Sequence, residues 1–135
     1  MEIIKKEIDN ELDRQIGFSY SPYSGCKVAC ALQFANGDIV GGCNVENASY
    51  PLGLCAERNA ITSAISMGKD MSEMVSLYIK TNKESFFTPC GACLQVISEF
   101  VVDDLNIFVI NNKNEIKTYK FSELMPVCFD KSKLD

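Results

Sequence analysis

Three cysteines stand at the openings of two helix-period runs, in a chain with no histidine. Cys55-Ala56-Glu57 leads into Ala60, Ile61, Ala64 and Ile65, a buried-helix spacing that runs from Cys55 to about Met67. Pro89-Cys90-Gly91-Ala92-Cys93 leads into Val96, Ile97 and Phe100, predicting a helix from Pro89 through about Val101. Without imidazole, any transition-metal site must use thiolates and perhaps carboxylates, and any proton carrier must be another residue type. One helical N-terminal turn can present both thiols of Cys90 and Cys93 to a single ion, and Cys55 would be a third ligand. Zinc on three protein ligands keeps an open position for water, whereas a structural zinc takes four. The count favours catalysis.

Electrostatics and elimination extend this reading. Zinc, three thiolates and a hydroxide sum formally to about −2, a costly charge in a half-buried pocket. Helix N-termini contribute roughly +0.5 charge each, and both motifs sit at one. Arg58, directly after Glu57, is placed to hydrogen-bond the thiolates and offset the rest. Glu57 follows a ligand by two residues, in a turn whose side chains can converge on the same ion. A carboxylate there can take a proton from water and deliver it elsewhere.

A lone C-x-x-C is weak, open to a redox pair, a structural metal or chance, and C-A-E alone says almost nothing. The two motifs together, each at a helix start, are specific to zinc deaminase sites. A thioredoxin-like redox pair would leave Cys55 and Glu57 without a purpose.

Around these motifs the chain alternates strands and helices. Ile4, Ile8, Leu12 and Ile16 predict an amphipathic helix from about Glu2 to Ile16, followed by a turn-rich segment from Ser19 to Gly25. Val28 to Phe34 and Ile39 to Cys43 read as a hairpin about Asn36-Gly37. Strands are also expected at Met74 to Ile79, Leu105 to Ile110 and Ile116 to Tyr119, with a helical turn at Phe121 to Leu124. The fold class expected is α/β: a three-layer α/β/α sandwich with a mixed five-stranded sheet. Its 135 residues suit a single catalytic domain, residues 1–135, with no repeat and no linker.

Composition narrows the function. The net charge is −5 and the basic residues are scattered, which argues against a polynucleotide partner and for a small molecule. No apolar run reaches the roughly 18 residues a membrane span needs. The stretch from Met1 to Glu7 lacks the apolar core of a signal peptide, so a cytoplasmic location is expected. Seven cysteines, an odd number, fit poorly with a disulfide framework. Cys26, Cys30 and Cys43, in or beside strand-like runs, read as small buried hydrophobes.

At these residues the sequence closely resembles the small, homotetrameric, zinc-dependent cytidine deaminases. The likeness rests on Tyr20-Ser21-Pro22-Tyr23-Ser24, Gly42-Cys43-Asn44-Val45-Glu46-Asn47-Ala48-Ser49-Tyr50, Cys55-Ala56-Glu57-Arg58 and Pro89-Cys90-Gly91-Ala92-Cys93. A weaker echo, Glu123 to Phe129, closes the chain. The resemblance implies a zinc ion on Cys55, Cys90 and Cys93, with Glu57 as the catalytic proton carrier. It implies that Asn44, Val45 and Glu46 bind substrate, with Asn44 and Glu46 on the ribose. The Ala56 N–H would meet the pyrimidine carbonyl, and the Thr88 carbonyl would face the departing ammonia. Phe129 would close over a neighbouring subunit's site, and Arg58 would support the thiolates. The reaction implied is hydrolytic deamination of cytidine or deoxycytidine to uridine or deoxyuridine, a step of pyrimidine salvage.

The chain departs from the family at Leu94, where Arg is usual, at Cys26, where Phe is usual, and at Ala29, where Gly is usual. None of these is a ligand or Glu57. Two other readings keep the same cysteines. One is deamination of a cytosine-nucleoside antibiotic such as blasticidin S, against which the intact run from Asn44 to Tyr50 argues. The other is a non-catalytic binding module stabilised by zinc, with Cys43 as a fourth ligand.

Overall fold

The computed structural model describes residues 4–134. Helix α1 (Lys6–Phe18) is followed by the hairpin β1 (Val28–Phe34) and β2 (Ile39–Cys43). Then come α2 (Ala56–Ser66), β3 (Met74–Thr81), α3 (Gly91–Ser98), β4 (Asn106–Ile110), β5 (Ile116–Lys120) and the short α4 (Phe121–Leu124). The five strands form one sheet in the order β2-β1-β3-β4-β5, with β3 and β4 parallel and the other pairs antiparallel. This is the mixed sheet of an α/β/α sandwich.

Strand alternation sorts the core into two halves. On β1, Ala29 and Ala31 face α1, where Ile8, Leu12, Tyr78 and Ile110 complete one cluster. Cys30, Leu32 and Phe34 face the other way, joining Leu77, Ile79, Ile107 and Val109 under α2 and α3. Burial pushes the Cys30 thiol well up, with the Glu57 charge adding, so Cys30 behaves as the small hydrophobe its place in β1 suggests.

The topology explains why two distant cysteine motifs meet. Both β2 and β3 run antiparallel to β1, so they point the same way. Helix α2 carries the chain from β2 across to β3, and α3 carries it from β3 to its parallel neighbour β4. Both helices therefore begin at the C-terminal ends of parallel-pointing strands, on one face of the sheet. That is the edge where α/β sheets place their ligands.

β2 is unusually thin. A Cβ on Gly41 would meet the flexible Glu11 side chain of α1. One on Gly42 would lie 2.5 Å from the backbone N of Ala60 and 2.9 Å from the Ala56 carbonyl oxygen. Glycine here lets α2 seat directly on the strand. Gly42→Ala is expected to push away the first turns of α2, costing about 1–3 kcal/mol as overpacking against backbone. Zinc content should fall with it. Chemical denaturation and metal analysis check both, and an unchanged midpoint would show that α2 shifts freely.

Element bounds follow the expected ones closely, and three of the differences have a structural reason or limit. The first helix begins at Lys6, and Glu2 and Ile3 lie outside the described residues. Helix α3 spans Gly91–Ser98: Pro89 and Cys90 precede it, and Phe100 closes a tighter turn by donating its N–H to Ile97 O at 3.0 Å. β3 continues to Thr81 because it stays paired with Val28.

Candidate active site

Cys55 is the N-cap of α2 and Cys90 the N-cap of α3, both with extended backbone, and Cys93 lies one turn into α3. The three sulfurs lie within 4.8 Å of one another, and among the described residues these are the thiols and carboxylates that cluster in this way. Cys43, buried at the end of β2, stands outside the cluster. Tetrahedral zinc, with Zn–S near 2.3 Å, needs sulfurs about 3.8 Å apart. The donor set fits zinc in number, softness and spacing.

One of the three sulfurs, Cys55, is biased toward the thiolate that a metal binds. A hydrogen bond from the Cys93 thiol, and after it one from Arg58, holds the Cys55 thiol down to about 5. Cys93 is pushed up by donating that bond, by burial and by the Glu57 charge. A metal bound to these sulfurs would displace their protons. Arg58 Nη2 donates to Cys55 Sγ at 3.3 Å, and its Nε is buried with no partner among the described residues. The guanidinium thus lies against the sulfurs with donor capacity in reserve. Leu94 is buried in the core, and among the described residues Arg58 is the one cationic side chain in the cleft lining.

Glu57 is only 5% exposed, in the first turn of α2. Burial pushes its carboxyl above the usual range, and the neighbouring Cys55 charge adds to the shift. A buried carboxyl beside a metal site suits a group that must both take and give a proton.

A cleft of about 440 Å³ opens above this centre, a size typical of small-ligand sites. Its lining brings together Asn44, Val45, Glu46, Cys55, Ala56, Glu57, Arg58, Thr88 and Cys90. Residues 44–46 are strung between two neighbours. Tyr20 N donates to Asn44 O, Glu46 N donates to Tyr20 O, and Val45 exchanges two backbone bonds with Leu54. The Glu46 carboxylate accepts from the N–H groups of Tyr23 and Ser24 at 3.0 and 3.1 Å and from the Ser24 hydroxyl. Those bonds, the Ser24 hydroxyl first, hold its carboxyl below the usual range. The Asn44 side chain is largely committed to the fold: Oδ1 accepts from Ser19 Oγ and Val28 N, and Nδ2 donates to Cys26 O at 2.8 Å. One amide N–H is left for a ligand.

Phe129 does not line the cleft of its own chain. It is 59% exposed, its carbonyl accepting from Gln95 Nε2 at 2.7 Å. Cys26 is also absent from the lining. Val28, Ile79, Leu54, Tyr50 and Phe87 were not singled out by sequence reasoning, yet they supply the apolar walls. Of these, Tyr50 closes the run that begins at Gly42, Leu54 directly precedes Cys55, and Phe87 lies three residues before Cys90, so their nearness to the motifs was the available signal.

Comparison with known proteins finds matches in family, sequence and structure. A family model described as the cytidine and deoxycytidylate deaminase zinc-binding region matches residues 14–109. The chain is 36% identical over 132 residues to a cytidine deaminase of Mycoplasma genitalium, covering 98% of this chain and all of that protein. It superposes on a crystal structure of cytidine deaminase from Burkholderia pseudomallei with a TM-score of 0.86 at 32% identity, covering 94% and 100% of the two chains. A blasticidin-S deaminase of Bacillus cereus is more distant, at 29% identity over 78% of each.

Proposed function

The chain belongs to the cytidine and deoxycytidylate deaminase family, and on that premise we propose that it hydrolyses the 4-amino group of cytidine or deoxycytidine. The observation that carries the reading is a single cleft lined by Cys55 and Cys90 of the three-thiol cluster, the buried carboxylate of Glu57 and the 44–46 segment, with Cys93 buried directly behind.

Cys55, Cys90 and Cys93 would hold the zinc, which when bound supplies the Lewis acidity that turns water into a nucleophile near neutral pH. Glu57 carries the protons. It takes one from the attacking water as the oxygen bonds to C4, and places it on N3. It then moves the remaining hydroxyl proton to the amino nitrogen. The C4–N4 bond breaks, C4 keeps a carbonyl, and ammonia leaves past the Thr88 main-chain carbonyl. The Ala56 N–H, at the start of α2, orients the pyrimidine carbonyl. Glu46 accepts from a ribose hydroxyl, and Asn44 contributes its remaining N–H. Arg58 offsets the thiolate charge. Such chemistry fits pyrimidine salvage in a reducing cytoplasm, where ligand thiols stay free.

We assign a homotetramer with shared sites to the working enzyme. Supporting this, Tyr20, Tyr23, Tyr50 and Leu52 around the cleft mouth are exposed, as are Val127 and Phe129 near the C-terminus. Phe129, turned away from its own cleft, is available to a neighbour's. Sedimentation should give four times the 15.0 kDa of one chain. Phe129→Ala should raise KM several-fold with zinc content unchanged, since burying such a ring contributes about 1.5–3 kcal/mol. A fully active monomer would defeat the shared site.

The test of function is spectrophotometric loss of cytidine with purified protein, with and without a zinc chelator, and with blasticidin S as the competing substrate. Chelator-sensitive turnover of cytidine is expected. Preference for the antibiotic, or zinc binding without turnover, would overturn the reading.

A further inference from the structure

Phe86 and Phe87 are neighbours in sequence and go separate ways. Phe86 packs against the core under α2 and α3 and lies 4.5 Å from Lys117 Nζ, which caps its ring. Phe87 belongs to neither core cluster, is half-buried, and lines the cleft beside Thr88 and Cys90. A large apolar side chain left out of both cores and set in a cleft wall is available to cover a ligand.

The segment that carries it is clamped. Asn82 ties its start to the segment leading into β1: Oδ1 accepts from Lys27 N at 2.9 Å and Nδ2 donates to Gly25 O at 3.1 Å. The β4–β5 turn holds the middle. Asn112 donates its N–H to Lys83 O and its Nδ2 to Asn82 O. Asn111, 2% exposed, donates Nδ2 to Glu84 O at 3.0 Å and to Glu115 Oε1 at 2.8 Å, and its Oδ1 accepts from the N–H groups of Lys113 and Glu115. Lys117 over Phe86 and the buried Pro89 complete the restraint. Phe87 is therefore presented from a rigid segment, one residue before the Thr88 carbonyl and three before a sulfur of the cluster. The other aromatic residue in the lining, Tyr50, is 77% exposed at the rim and sits edge-on to Tyr23. Cys26 does not line the cleft, and its carbonyl accepts from Asn44 Nδ2 at 2.8 Å.

We propose that Phe87 is the ring against which the pyrimidine packs within each subunit, and hence a determinant of base affinity in this chain. The assignment rests on the cytosine-nucleoside reading above. A flat heterocycle offers a π-face to such a ring, and base–aromatic stacking of this kind changes affinity by roughly ten-fold or more.

The experiment measures KM and kcat for cytidine, calorimetric binding of uridine, and zinc per chain in the parent, Phe87→Ala, Phe87→Leu and Phe87→Tyr. Phe87→Ala should raise KM and the uridine Kd by roughly ten-fold, with kcat within about three-fold and zinc unchanged. Phe87→Leu should fall between, and Phe87→Tyr should recover most of the lost affinity. If KM and Kd hold in Phe87→Ala while the parent deaminates cytidine, the assignment fails alone. If Phe87→Ala loses zinc in proportion to kcat, or Phe87→Leu matches Phe87→Tyr, the residue is structural filler and the assignment fails. A parent that neither binds nor deaminates cytidine overturns the functional reading and this assignment together.

Discussion

Glu57→Gln is expected to keep its zinc and its fold while losing kcat by at least three orders of magnitude. The amide is nearly isosteric, so packing in the first turn of α2 is preserved. Glutamine cannot accept a proton and release it, and the mechanism asks one group to do so more than once. A single general acid–base role accounts for about 10²–10⁴ in rate, so a residue serving successive transfers should sit at or above the upper end. Among the described residues the cleft lining holds one other carboxylate, Glu46, whose carboxyl is kept below the usual range by Ser24 and its neighbours, and the chain has no histidine. The burial that raises Glu57 also predicts a side effect. Removing a buried ionisable group leaves the folded state at least as stable as before. Activity near that of the parent, with zinc retained, would take Glu57 out of the mechanism.

How much of this could be read from the residues alone depends on range. The β1–β2 hairpin was legible because alternation and the Asn36-Gly37 turn are local signals. Both zinc motifs were legible because their chemistry is compressed into one helical turn each. The strand order was not, since the pairing of β1 with β3 joins residues such as Leu32 and Leu77 across a whole helix. The close seat of α2 on Gly42 was hidden for the same reason: a glycine in a strand does not announce what lies above it. Asn44 is the most instructive case. Its motif points to substrate, and it does line the cleft, but most of its side chain is spent joining Ser19, Cys26 and Val28. Nothing in its sequence neighbourhood reveals those partners. The asparagine clamps of the segment that carries Phe87 belong to the same class, being contacts between loops far apart in the chain.

The second large effect is loss of the metal. Cys90→Ala should abolish turnover to background and reduce zinc to a small fraction of one per chain, because two thiols cannot hold the ion against water and chelators as three do. Cys90 is the informative ligand to remove. It is exposed, whereas Cys93 is fully buried, so its loss forfeits no core packing and any change in stability reports the metal. The apo protein should remain folded, since α2 and α3 are seated by Ala56, Ala60, Ile61, Leu94 and Ile97 independently of the sulfurs. Zinc should then act as a ligand of the native state, adding about 2.7 kcal/mol when present at a hundred times its Kd. Parent stripped of zinc and Cys90→Ala should unfold at the same denaturant concentration, and restoring zinc should shift only the parent. A Cys90→Ala protein that retains stoichiometric zinc and turns over cytidine would place the third ligand elsewhere. Unfolding of the stripped parent at the lowest denaturant would show that the metal, and not the two helix seats, holds this end of the fold together.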